Sequence, residues 1–567
     1  MTVAEYIVQT LVNFNVTDVF GVPGGVVLEF LYAADANKNI SIHLSTNEQS
    51  AGYSALGYAQ NSGTIGVAYA TRGPGFTNLL TPMADAFFDS IPVLFITAHS
   101  KEYKKNKCRF SEEQEFDTVS LVRGITKKAI RVEDVRKIKS SLKILLRNAL
   151  IKRPGSVFLD IKESVLQSEI DESLIEKKDI YINLLKETDN QLLKILEAEF
   201  EKAKRPIILF GNGIHQSKSE NEAIQFAKKT NIPVVSSCIA QDLTKQKILC
   251  FGYIGSHGIR CANFILYHAD LIISLGNRMA FDHNSDSFGS IAKKRIIRFD
   301  IDEQELKKAE KNEFLFKSDL KQLLGVLSNN LMIKNNKNKW INNCKRIKEI
   351  FSNYDKTHII NDITRILNKI PPKFSVVTDV GNNEFLISQS YFNSKISNRL
   401  LMSKSFAAMG SSIPKAIGVF YSTRNPVVSF VGDQAFLVSI QDLAFIDKNK
   451  IPIKIILLNN YSSGMIKSKQ KSQKRAKFVH TTVENGYLSP EYKNIIKGFQ
   501  IEYFDFYKLT DDEIKIIMNN KKACVIEIKI NNENDPVFLP KGNLPWDFVP
   551  AIDNCAKIVE EIMKELK

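Results

Sequence analysis

The chain has 567 residues, a length that corresponds to three or four domains. Of these residues 44% are hydrophobic and 25% charged, which is typical of a globular protein. It contains no run of about 18 or more apolar residues, so we expect neither a membrane-spanning helix nor a membrane partner. The net charge of +15 (77 basic minus 62 acidic residues) is spread along the whole chain without a basic tail or a recognition module, which argues against a nucleic-acid partner and favours anionic ligands.

The cysteines are scattered and none forms a CxxC pair, which fits reduced thiols better than a disulfide framework or a zinc site. The N-terminal residues MTVAEYIVQTLVNF include an early acidic residue and lack a cleavage-site pattern, so we expect the first amphipathic helix of a domain there and not a signal peptide. These two observations predict a cytoplasmic protein.

Short apolar runs alternate with helical stretches three times along the chain, which predicts parallel sheets covered by helices. A polar, charged segment at 162–181 and a segment rich in Asn and Lys at 327–346 separate the three units and are interpreted as linkers. We therefore predict an α/β fold with three doubly wound parallel-sheet domains. Their expected ranges are 1–165, 186–335 and 350–535, followed by a tail at 536–567.

Two distant motifs contain the main functional candidates. The segment VSFVGDQAFLVSIQDLAFIDKNKIPIKIILLNN predicts strand, turn, helix and strand, with Asp433 and Asn460 at the two strand ends. Open α/β sheets bind ligands at the carboxyl ends of their strands, and carboxylate and amide oxygens suit Mg²⁺. The alternative is a capping Asp and a turn-forming Asn. The other motif, STNEQSAGYSALGYAQ, contains Glu48, which taken by itself is an ordinary glutamate at a helix start, where negative charge is favourable.

These motifs, together with four other segments in the same order, resemble the thiamine diphosphate-dependent enzymes, and among them the acetolactate synthase large-subunit-like branch. The four segments are GVPGG (21–25), TRGPGFTNLLTPMADAFFDSIPVLFITAHS (71–100), TDVGNNEF (378–385) and SFAAMGSSIPKAIG (405–418). The resemblance implies pyrimidine-binding, central and diphosphate-binding domains, in that order. It also implies a homodimer, in which the cofactor lies between the first domain of one chain and the third domain of its partner, and leaves open a tetramer.

The resemblance implies roles for individual residues. Glu48 is the implied catalytic carboxylate, hydrogen-bonded to N1′ of the cofactor's aminopyrimidine in an apolar site that tunes its protonation. Gln114 and Gly25 are the other implied catalytic residues, although Gln114 also fits a solvated helix. The implied magnesium ligands are Asp433, Asn460 and the backbone carbonyl of Ser462.

The same resemblance implies a set of cofactor-binding residues. They are Glu48, Asn382, Asn383, Ala408, Met409, Gly432, Asp433, Gln434, Ala435, Asn460, Ser463, Gly464 and Met465. Met409 is expected to support the bent cofactor, its alternative being a core filler. Gln434 departs from the family, which usually has Gly or Ala there.

The predicted reaction follows from a missing feature. Simple 2-oxo acid decarboxylases of this family carry a His-His pair that protonates their intermediate, and the eight histidines of this chain are isolated. This favours a decarboxylating carboligase that takes a 2-oxo acid, pyruvate by default, and joins the remaining fragment to an acceptor carbonyl. The alternatives are a non-ligating 2-oxo acid decarboxylase, a flavin-linked oxidase, and a catalytically degenerate regulatory or assembly subunit.

Two departures from the family leave the acceptor and the flavin open. Lys469 replaces a tryptophan that shapes the acceptor pocket, within a basic stretch made of Lys467, Lys469, Lys471, Lys474, Arg475 and Lys477. That stretch is either a solvated mobile loop or a pocket for an anionic acceptor such as a phosphorylated or nucleotide-linked sugar. The central domain lacks the usual flavin-contacting string but retains Arg278, so FAD is neither predicted nor excluded.

Overall fold

A computed structural model describes residues 1–100, 113–170, 190–245, 248–255, 257–279, 294–308, 312–331, 337–352, 357–473, 477–531, 561, 562 and 564. Within these ranges, three six-stranded sheets follow one another along the chain, and their strand pairings are parallel. The predicted α/β fold with three parallel-sheet domains is confirmed. The expected tail at 536–567 lies outside the described residues, apart from 561, 562 and 564.

The first sheet has the strand order β2-β1-β3-β4-β6-β5. Its strands are β1 (Asp18–Gly21), β2 (Ser41–Leu44), β3 (Gly66–Ala70), β4 (Val93–His99), β5 (Lys128–Val132) and β6 (Val157–Lys162). Its helices are α1 (Val3–Asn13), α2 (Leu28–Ala36), α3 (Glu48–Ser62), α4 (Pro74–Asn78), α5 (Leu80–Phe88), α6 (Thr118–Val122), α7 (Ile138–Leu150) and α8 (Glu163–Gln167).

The central sheet has the order β12-β11-β10-β7-β8-β9, which is the doubly wound order of dinucleotide-binding folds. Its strands are β7 (Pro206–Phe210), β8 (Val234–Ser236), β9 (Cys250–Tyr253), β10 (Leu271–Leu275), β11 (Arg295–Asp300) and β12 (Glu313–Lys317). Its helices are α9 (Asn190–Lys202), α10 (Gly213–Gln216), α11 (Glu220–Thr230), α12 (Arg260–His268), α13 (Glu303–Leu306) and α14 (Leu320–Asn330), followed by α15 (Asn338–Ser352).

The third sheet has the order β14-β13-β15-β16-β18-β17, the same relative order as the first sheet. Its strands are β13 (Ser375–Thr378), β14 (Leu400–Met402), β15 (Val427–Gly432), β16 (Ile453–Asn459), β17 (Glu502–Asp505) and β18 (Cys524–Lys529). Its helices are α16 (His358–Leu367), α17 (Asn382–Asn393), α18 (Ser412–Thr423), α19 (Asp433–Val438), α20 (Asp442–Lys448), α21 (Gly464–Ser472), α22 (Tyr492–Gly498) and α23 (Asp511–Asn519).

The central strands are buried on both faces, which is why they appear in the sequence as continuous apolar runs. Every residue of β3, β4, β10 and β16 is buried. Helices cover both faces of each sheet. Each domain therefore has a layered core with one sheet between helices.

Both predicted linkers are partly helical. Glu163–Gln167 of the first form α8, and residues 327–330 of the second belong to α14. Residues of the segment 327–346 from Asn338 onward belong to α15, which buries Trp340, Ile341 and Cys344. The Trp340 Nε1–H also donates a hydrogen bond to the Pro206 carbonyl oxygen at 3.1 Å. The apolar residues recur at helical spacing, so packing stabilises a helix that its many Asn and Lys residues concealed.

The first and third domains of the chain pack together through α3 and α18. The two helices approach so closely that a Cβ added to Gly57 would lie 2.2 Å from the Lys415 carbonyl oxygen. A Cβ added to Gly418 would lie 1.8 Å from the Ser54 carbonyl oxygen. Glycine at both positions is therefore what allows the contact. None of the helices in the described ranges has the length and apolarity needed to cross a membrane.

Candidate active site

Glu48 is the first residue of α3, and its position is set by the preceding cap. The Asn47 side chain accepts a hydrogen bond from the Ser50 backbone N–H at 2.8 Å, which begins the helix. Glu48 is half-buried, and its Oε2 accepts a hydrogen bond from Asn78 Nδ2 at 2.8 Å. A Cβ on Gly75 would lie 3.1 Å from Glu48 Oε1. Glu48 is therefore packed against the TRGPGFTN segment and is not an isolated surface glutamate.

Gln114 lies against the same segment, in a strained backbone conformation. Its φ of 63° is left-handed, which is uncommon for a residue other than glycine. A Cβ on Gly73 would lie 2.6 Å from the Gln114 Cβ, so glycine is required for this contact. The next residue, Glu115, accepts hydrogen bonds from Arg72 Nη1 at 2.8 Å and from the Ser100 backbone N–H at 2.7 Å. These contacts hold Gln114 in a turn, not on the helix of the alternative interpretation.

Gly25 opens a short 3-10 turn, and its neighbour Gly24 packs on Thr71. A Cβ added to Gly25 would meet no atom of the described chain within 4 Å. Packing within this chain therefore does not require glycine there, and its backbone faces open space.

Asp433 begins α19 directly after β15, where the strand order of the third sheet reverses between β13 and β15. Its carboxylate is buried, and Oδ1 accepts a hydrogen bond from the Tyr487 hydroxyl at 2.8 Å. The Gln434 backbone N–H donates to the same oxygen at 2.9 Å, and the Tyr492 hydroxyl donates to the Asp433 carbonyl oxygen at 3.1 Å. The side chain is thus fixed at the strand end.

Asn460 and Ser462 follow the neighbouring strand β16 and are both buried. Asn459 Nδ2 donates to Glu527 Oε1 at 2.6 Å, so the first asparagine of the pair serves the sheet and leaves Asn460 as the candidate ligand. Ser462 is held by an antiparallel bridge to Thr482, after a left-handed turn at Tyr461 with φ of 53°. The candidate ligands therefore lie on two adjacent strand ends.

The two asparagines of the GNN segment have different surroundings. Asn383 Nδ2 donates to Thr378 Oγ1 at 2.8 Å and to the Asp379 carbonyl oxygen at 3.0 Å, so its amide nitrogen is bonded within the domain. Asn382 Nδ2 is buried and has no hydrogen-bond partner in the described part of the chain. Asn382 is therefore the better placed of the two to donate to a ligand.

Met409 is 46% exposed, which excludes the alternative of a core filler within this chain. Ala408 is half-buried beside it, against the core formed by the first and third domains. The loop is fixed by Asp379, whose carboxylate accepts from the backbone N–H groups of Gly410 at 3.1 Å and Ser412 at 2.9 Å. Burial raises the pKa of Asp379.

The remaining predicted cofactor-binding residues lie around the same strand ends. Gln434 is exposed and Ala435 is buried at the start of α19. Ser463, Gly464 and Met465 form the start of α21, with Met465 39% exposed.

A cavity of about 1800 Å³ opens among the three domains. This is larger than the roughly 300–1,000 Å³ of an ordinary ligand pocket. Asn382 and the α21 residues Met465, Ile466 and Lys469 line its third-domain side. The loops after β7 and β10 line its central-domain side, where the strand order reverses, and include Arg278. Arg278 Nη2 also donates to Ser405 Oγ at 2.9 Å.

The described part of the basic stretch is helical up to Lys471, whereas Lys477 lies in an irregular segment. Lys467, Lys469 and Lys471 lie on α21, and Lys474 and Arg475 lie outside the described residues. Lys469 faces the cavity, whereas Lys467 Nζ donates to Ser462 Oγ at 3.3 Å. The loop alternative therefore does not hold for 467–471, where the chain is helical as far as Ser472, and the acceptor-pocket alternative stays a prediction.

The structure gathers the predicted residues into two groups. Glu48, Gln114 and Gly25 lie on the first domain, and the metal-ligand candidates with Asn382 and Met465 lie on the third. The large cavity is lined by Asn382 and Met465 but, among the described residues, by none of the three first-domain candidates.

Sequence reasoning missed three polar residues that support these groups. The Tyr487 hydroxyl donates to Asp433. Burial is the main cause that raises the pKa of Tyr487, and the nearby Asp433 carboxylate raises it further. Asp379 fixes the Met409 loop, and it lies three residues before Asn382 in the TDVGNNEF segment. Asp442 accepts hydrogen bonds from both sides of Glu48, from Thr46 Oγ1 at 2.6 Å and Ser50 Oγ at 2.8 Å. No local sequence signal marks Tyr487 or Asp442.

The third-domain residues fit a diphosphate bound with magnesium. Carboxylate, amide and carbonyl oxygens form the donor set that Mg²⁺ takes when phosphate completes its coordination. Cβ atoms added to Gly381 and Gly432 would enter open space, so both glycines leave room at the strand ends. Among the described residues the buried Asn382 Nδ2 has no hydrogen-bond acceptor, and a diphosphate would supply one.

Comparison with known proteins agrees with this geometry. Residues 1–121 match the family "Thiamine pyrophosphate enzyme, N-terminal TPP binding domain", 194–327 the "central domain", and 379–528 the "C-terminal TPP binding domain". These ranges fall inside the three predicted units, whose boundaries stay a prediction.

Full-length relatives are similar over almost the whole chain. The acetolactate synthase large subunit of Lactococcus lactis is 32% identical over 95% of this chain and 94% of the relative. Acetolactate synthase 1 of Oryza sativa is 30% identical over 96% of this chain and 87% of the relative. The acetolactate synthase isozyme 2 large subunit of Escherichia coli is 28% identical over 96% of this chain and 98% of the relative. The chain therefore belongs to the thiamine pyrophosphate enzymes, within their acetolactate synthase large-subunit family.

Proposed function

We propose that this protein is a thiamine diphosphate- and magnesium-dependent carboligase that decarboxylates a 2-oxo acid, pyruvate by default, and joins the fragment to an acceptor carbonyl. The observation that carries the proposal is the set of buried candidate ligands, Asp433, Asn460 and Ser462, at two adjacent strand ends of the third domain. A regulatory or assembly subunit without catalysis would not need Asp433, Asn460 and Ser462 held in this arrangement.

Asp433, Asn460 and the Ser462 carbonyl would hold the magnesium ion, and Asn382 would donate to the diphosphate. Asp433 is kept in place by Tyr487, and Ser462 by its bridge to Thr482. When bound, thiamine diphosphate supplies the nucleophilic carbon that adds to the 2-oxo acid and allows carbon dioxide to leave. Met409, exposed in this chain, would contact the apolar part of the cofactor.

Glu48 would exchange the proton that activates the cofactor. Its carboxylate is oriented by Asn78 and by the close approach of Gly75, so one oxygen is fixed by a hydrogen bond within the first domain. Within one chain, Glu48 does not line the cavity that Asn382 and Met465 of the third domain line. We infer a homodimer in which the partner subunit completes the site, and sedimentation of the purified protein tests this inference.

Gln114 would contact the substrate, because its turn lies against the same segment as Glu48. Since no His-His pair is present in the sequence to supply a proton to the intermediate, a second carbonyl is the favoured acceptor of the new bond. A non-ligating decarboxylase would instead release free aldehyde, and a flavin-linked oxidase would consume oxygen.

Lys469 supports an anionic acceptor. Its side chain is exposed and lines the cavity on the same helix face as Ile466. An ammonium group there favours a carboxylate or phosphate on the acceptor. Lys469→Met should raise the KM for an anionic acceptor, including pyruvate where pyruvate is the acceptor, and leave the affinity for thiamine diphosphate unchanged. An equal effect of Lys471→Met, on the same helix and not lining the cavity, would refute a specific role.

The cavity at the strand ends of the central domain is large enough to hold a flavin as well. We leave FAD as a test: heat-released supernatant from the purified protein should show flavin absorbance if it is bound. A colourless supernatant from protein with full activity removes flavin from the proposal.

The main experiment supplies purified protein with magnesium, thiamine diphosphate and pyruvate and identifies products by mass spectrometry. Acetolactate or another condensation product is expected, and free acetaldehyde alone would contradict the proposal. Glu48→Gln should lose turnover while retaining cofactor binding in calorimetry. Glu29→Gln, in the same domain on α2, is the matched control and should react as the wild type does.

A further inference from the structure

The third-domain residue Asp442 forms hydrogen bonds with the first domain, on the segment that contains Glu48. It begins α20 and is 1% exposed. Its Oδ1 accepts a hydrogen bond from Thr46 Oγ1 at 2.6 Å, and its Oδ2 accepts one from Ser50 Oγ at 2.8 Å. Both donors belong to the first domain, almost four hundred positions away along the chain (396 and 392 residues).

The two donors stand two residues before and two residues after Glu48. Thr46 lies in the chain entering α3, and Ser50 lies in its first turn. One carboxylate therefore holds the incoming chain and the helix start together. Since Asn47 also caps the Ser50 N–H, the backbone on both sides of Glu48 is fixed relative to the third domain.

Two of the other carboxylates that join these two domains have cationic partners, whereas a third, Asp89, accepts hydrogen bonds from the backbone N–H groups of Lys404 and Ser405. Asp85 Oδ2 lies 3.5 Å from Lys415 Nζ, and Asp18 Oδ1 lies 2.7 Å from Arg424 Nη2. Asp442 has no ion pair with any described residue, and hydroxyl groups alone bind its two oxygens. Burial raises its pKa to about 6, against the lowering effect of the Thr46 and Ser50 hydrogen bonds. A buried carboxylate without a cation is unfavourable for stability, so stability alone does not explain it.

We propose that Asp442 is a positioning residue for Glu48, which it acts on by holding Thr46 and Ser50. The proposal rests on the proposed role of Glu48 in cofactor activation. The position of Glu48 in the first domain would then depend on a residue of the third domain, at the start of α20, the helix that follows α19. Displacement of α20 would therefore shift Glu48 without any change in the residues that touch the cofactor.

The first test uses the protein without cofactor. In Asp442→Asn, amide hydrogen exchange should accelerate in the peptide that contains residues 46–52, by about tenfold or more if the grip is lost. The matched control is Asp447→Asn, which makes the same change five positions along α20, where the carboxylate pairs with Lys450. The control should exchange as the wild type does, and equal protection of this peptide in both variants would overturn the proposal.

The second test measures deuterium exchange at C2 of thiamine diphosphate bound to the full-length protein. Asp442→Asn should slow this exchange about tenfold or more, because small displacements of a catalytic group are costly, and should leave cofactor affinity within about twofold. A lowered melting temperature with unchanged C2 exchange would show a purely structural role and overturn the proposal.

Variants on the first-domain side keep the proposal testable if Asp442→Asn folds poorly. Thr46→Val and Ser50→Ala should each slow C2 exchange, and their combined effect with Asp442→Asn should be less than additive. Full additivity would overturn the proposal. Failure of the proposed function is separate: wild-type protein and Glu48→Gln would then show the same C2 exchange.

Discussion

Asp442 makes a pH prediction at the scale of one residue. Its pKa of about 6 lies above the ordinary value of 3.8, so the folded protein binds this proton more tightly than the unfolded chain does. The contribution of this group to stability is therefore present at low pH and is lost as the pH rises from about 4 to about 6. A shift of about two pKa units corresponds to about 3 kcal/mol.

Asp442→Asn removes that titration, since the amide resembles the protonated acid in shape and charge. We expect the free energy of unfolding of the variant to rise relative to wild type by about 3 kcal/mol between pH 4 and pH 7. Urea denaturation at a series of pH values measures it. A difference that does not change with pH would contradict the raised pKa, and Asp447→Asn provides the baseline.

Gly73 makes a second prediction at this scale. Its φ of 62° is left-handed, and a Cβ would lie 2.6 Å from the Gln114 Cβ and 3.0 Å from its carbonyl oxygen. Gly73→Ala should therefore destabilise the protein by about 1–3 kcal/mol and displace Gln114. We expect condensation product to fall relative to pyruvate consumed, as measured by mass spectrometry.

The control for Gly73 is Gly124→Ala, in the same domain, where an added Cβ would meet nothing within 4 Å. This variant should keep the product ratio of the wild type. If Gly73→Ala also keeps it, Gln114 does not control the fate of the intermediate.

At the scale of elements, the α3–α18 contact makes the clearest prediction. In Gly418→Ala the new Cβ would lie 1.8 Å from the Ser54 carbonyl oxygen, an atom of the backbone that a side-chain rotation does not move. The helices must separate, and overpacking of this kind costs about 1–3 kcal/mol or more. Thermal unfolding monitored by calorimetry should show the loss.

Gly325→Ala is the matched helical control. Gly325 lies inside α14, and an added Cβ would meet nothing within 4 Å. Alanine is a better helix former, so this variant should gain about 0.5–1 kcal/mol. Loss of stability in both variants would mean that the α3–α18 contact has no special role.

Some elements of the fold could be predicted from sequence patterns and others could not. Strands such as β16 follow directly from apolar runs like IKIILLNN, because both faces of a central parallel strand are buried. Helix α15 was missed because Asn and Lys dominate its composition, while Trp340 and Phe351 mark only one buried stripe. Helix α21 was not predicted, and its basic stretch was left open between a solvated loop and an acceptor pocket, because its lysines show no apolar pattern that marks a helix.

For the whole molecule, chain-distant contacts set the limit of sequence reasoning. Asp433 and Asn460 were predictable because strand ends in one motif meet at one sheet edge. Tyr487 and Asp442 were not, since their contacts join positions 54 and 396 residues apart. Nothing in a local pattern selects one partner among so many hydroxyls and carboxylates.

The first and third domains also share a strand order, and this relates the two helices that pack together. Helix α3 follows β2 and precedes β3, just as α18 follows β14 and precedes β15. Gly57 of one faces the Lys415 carbonyl of the other, and Gly418 faces the Ser54 carbonyl in return. The two domains therefore meet through equivalent elements, in a nearly symmetric pair within one chain.

Cofactor binding should also change the stability of the whole molecule. A ligand that binds only the folded protein stabilises it by about 2.7 kcal/mol at a hundredfold excess over its Kd. Thiamine diphosphate with magnesium should therefore raise the melting temperature of the wild type, measured by scanning fluorimetry. In Asp433→Asn, the part of the rise that needs magnesium should disappear, because the carboxylate ligand becomes a weaker amide. Asp447→Asn should respond as the wild type does, and a rise in Asp433→Asn equal to the wild-type rise would mean that the magnesium ligand lies elsewhere.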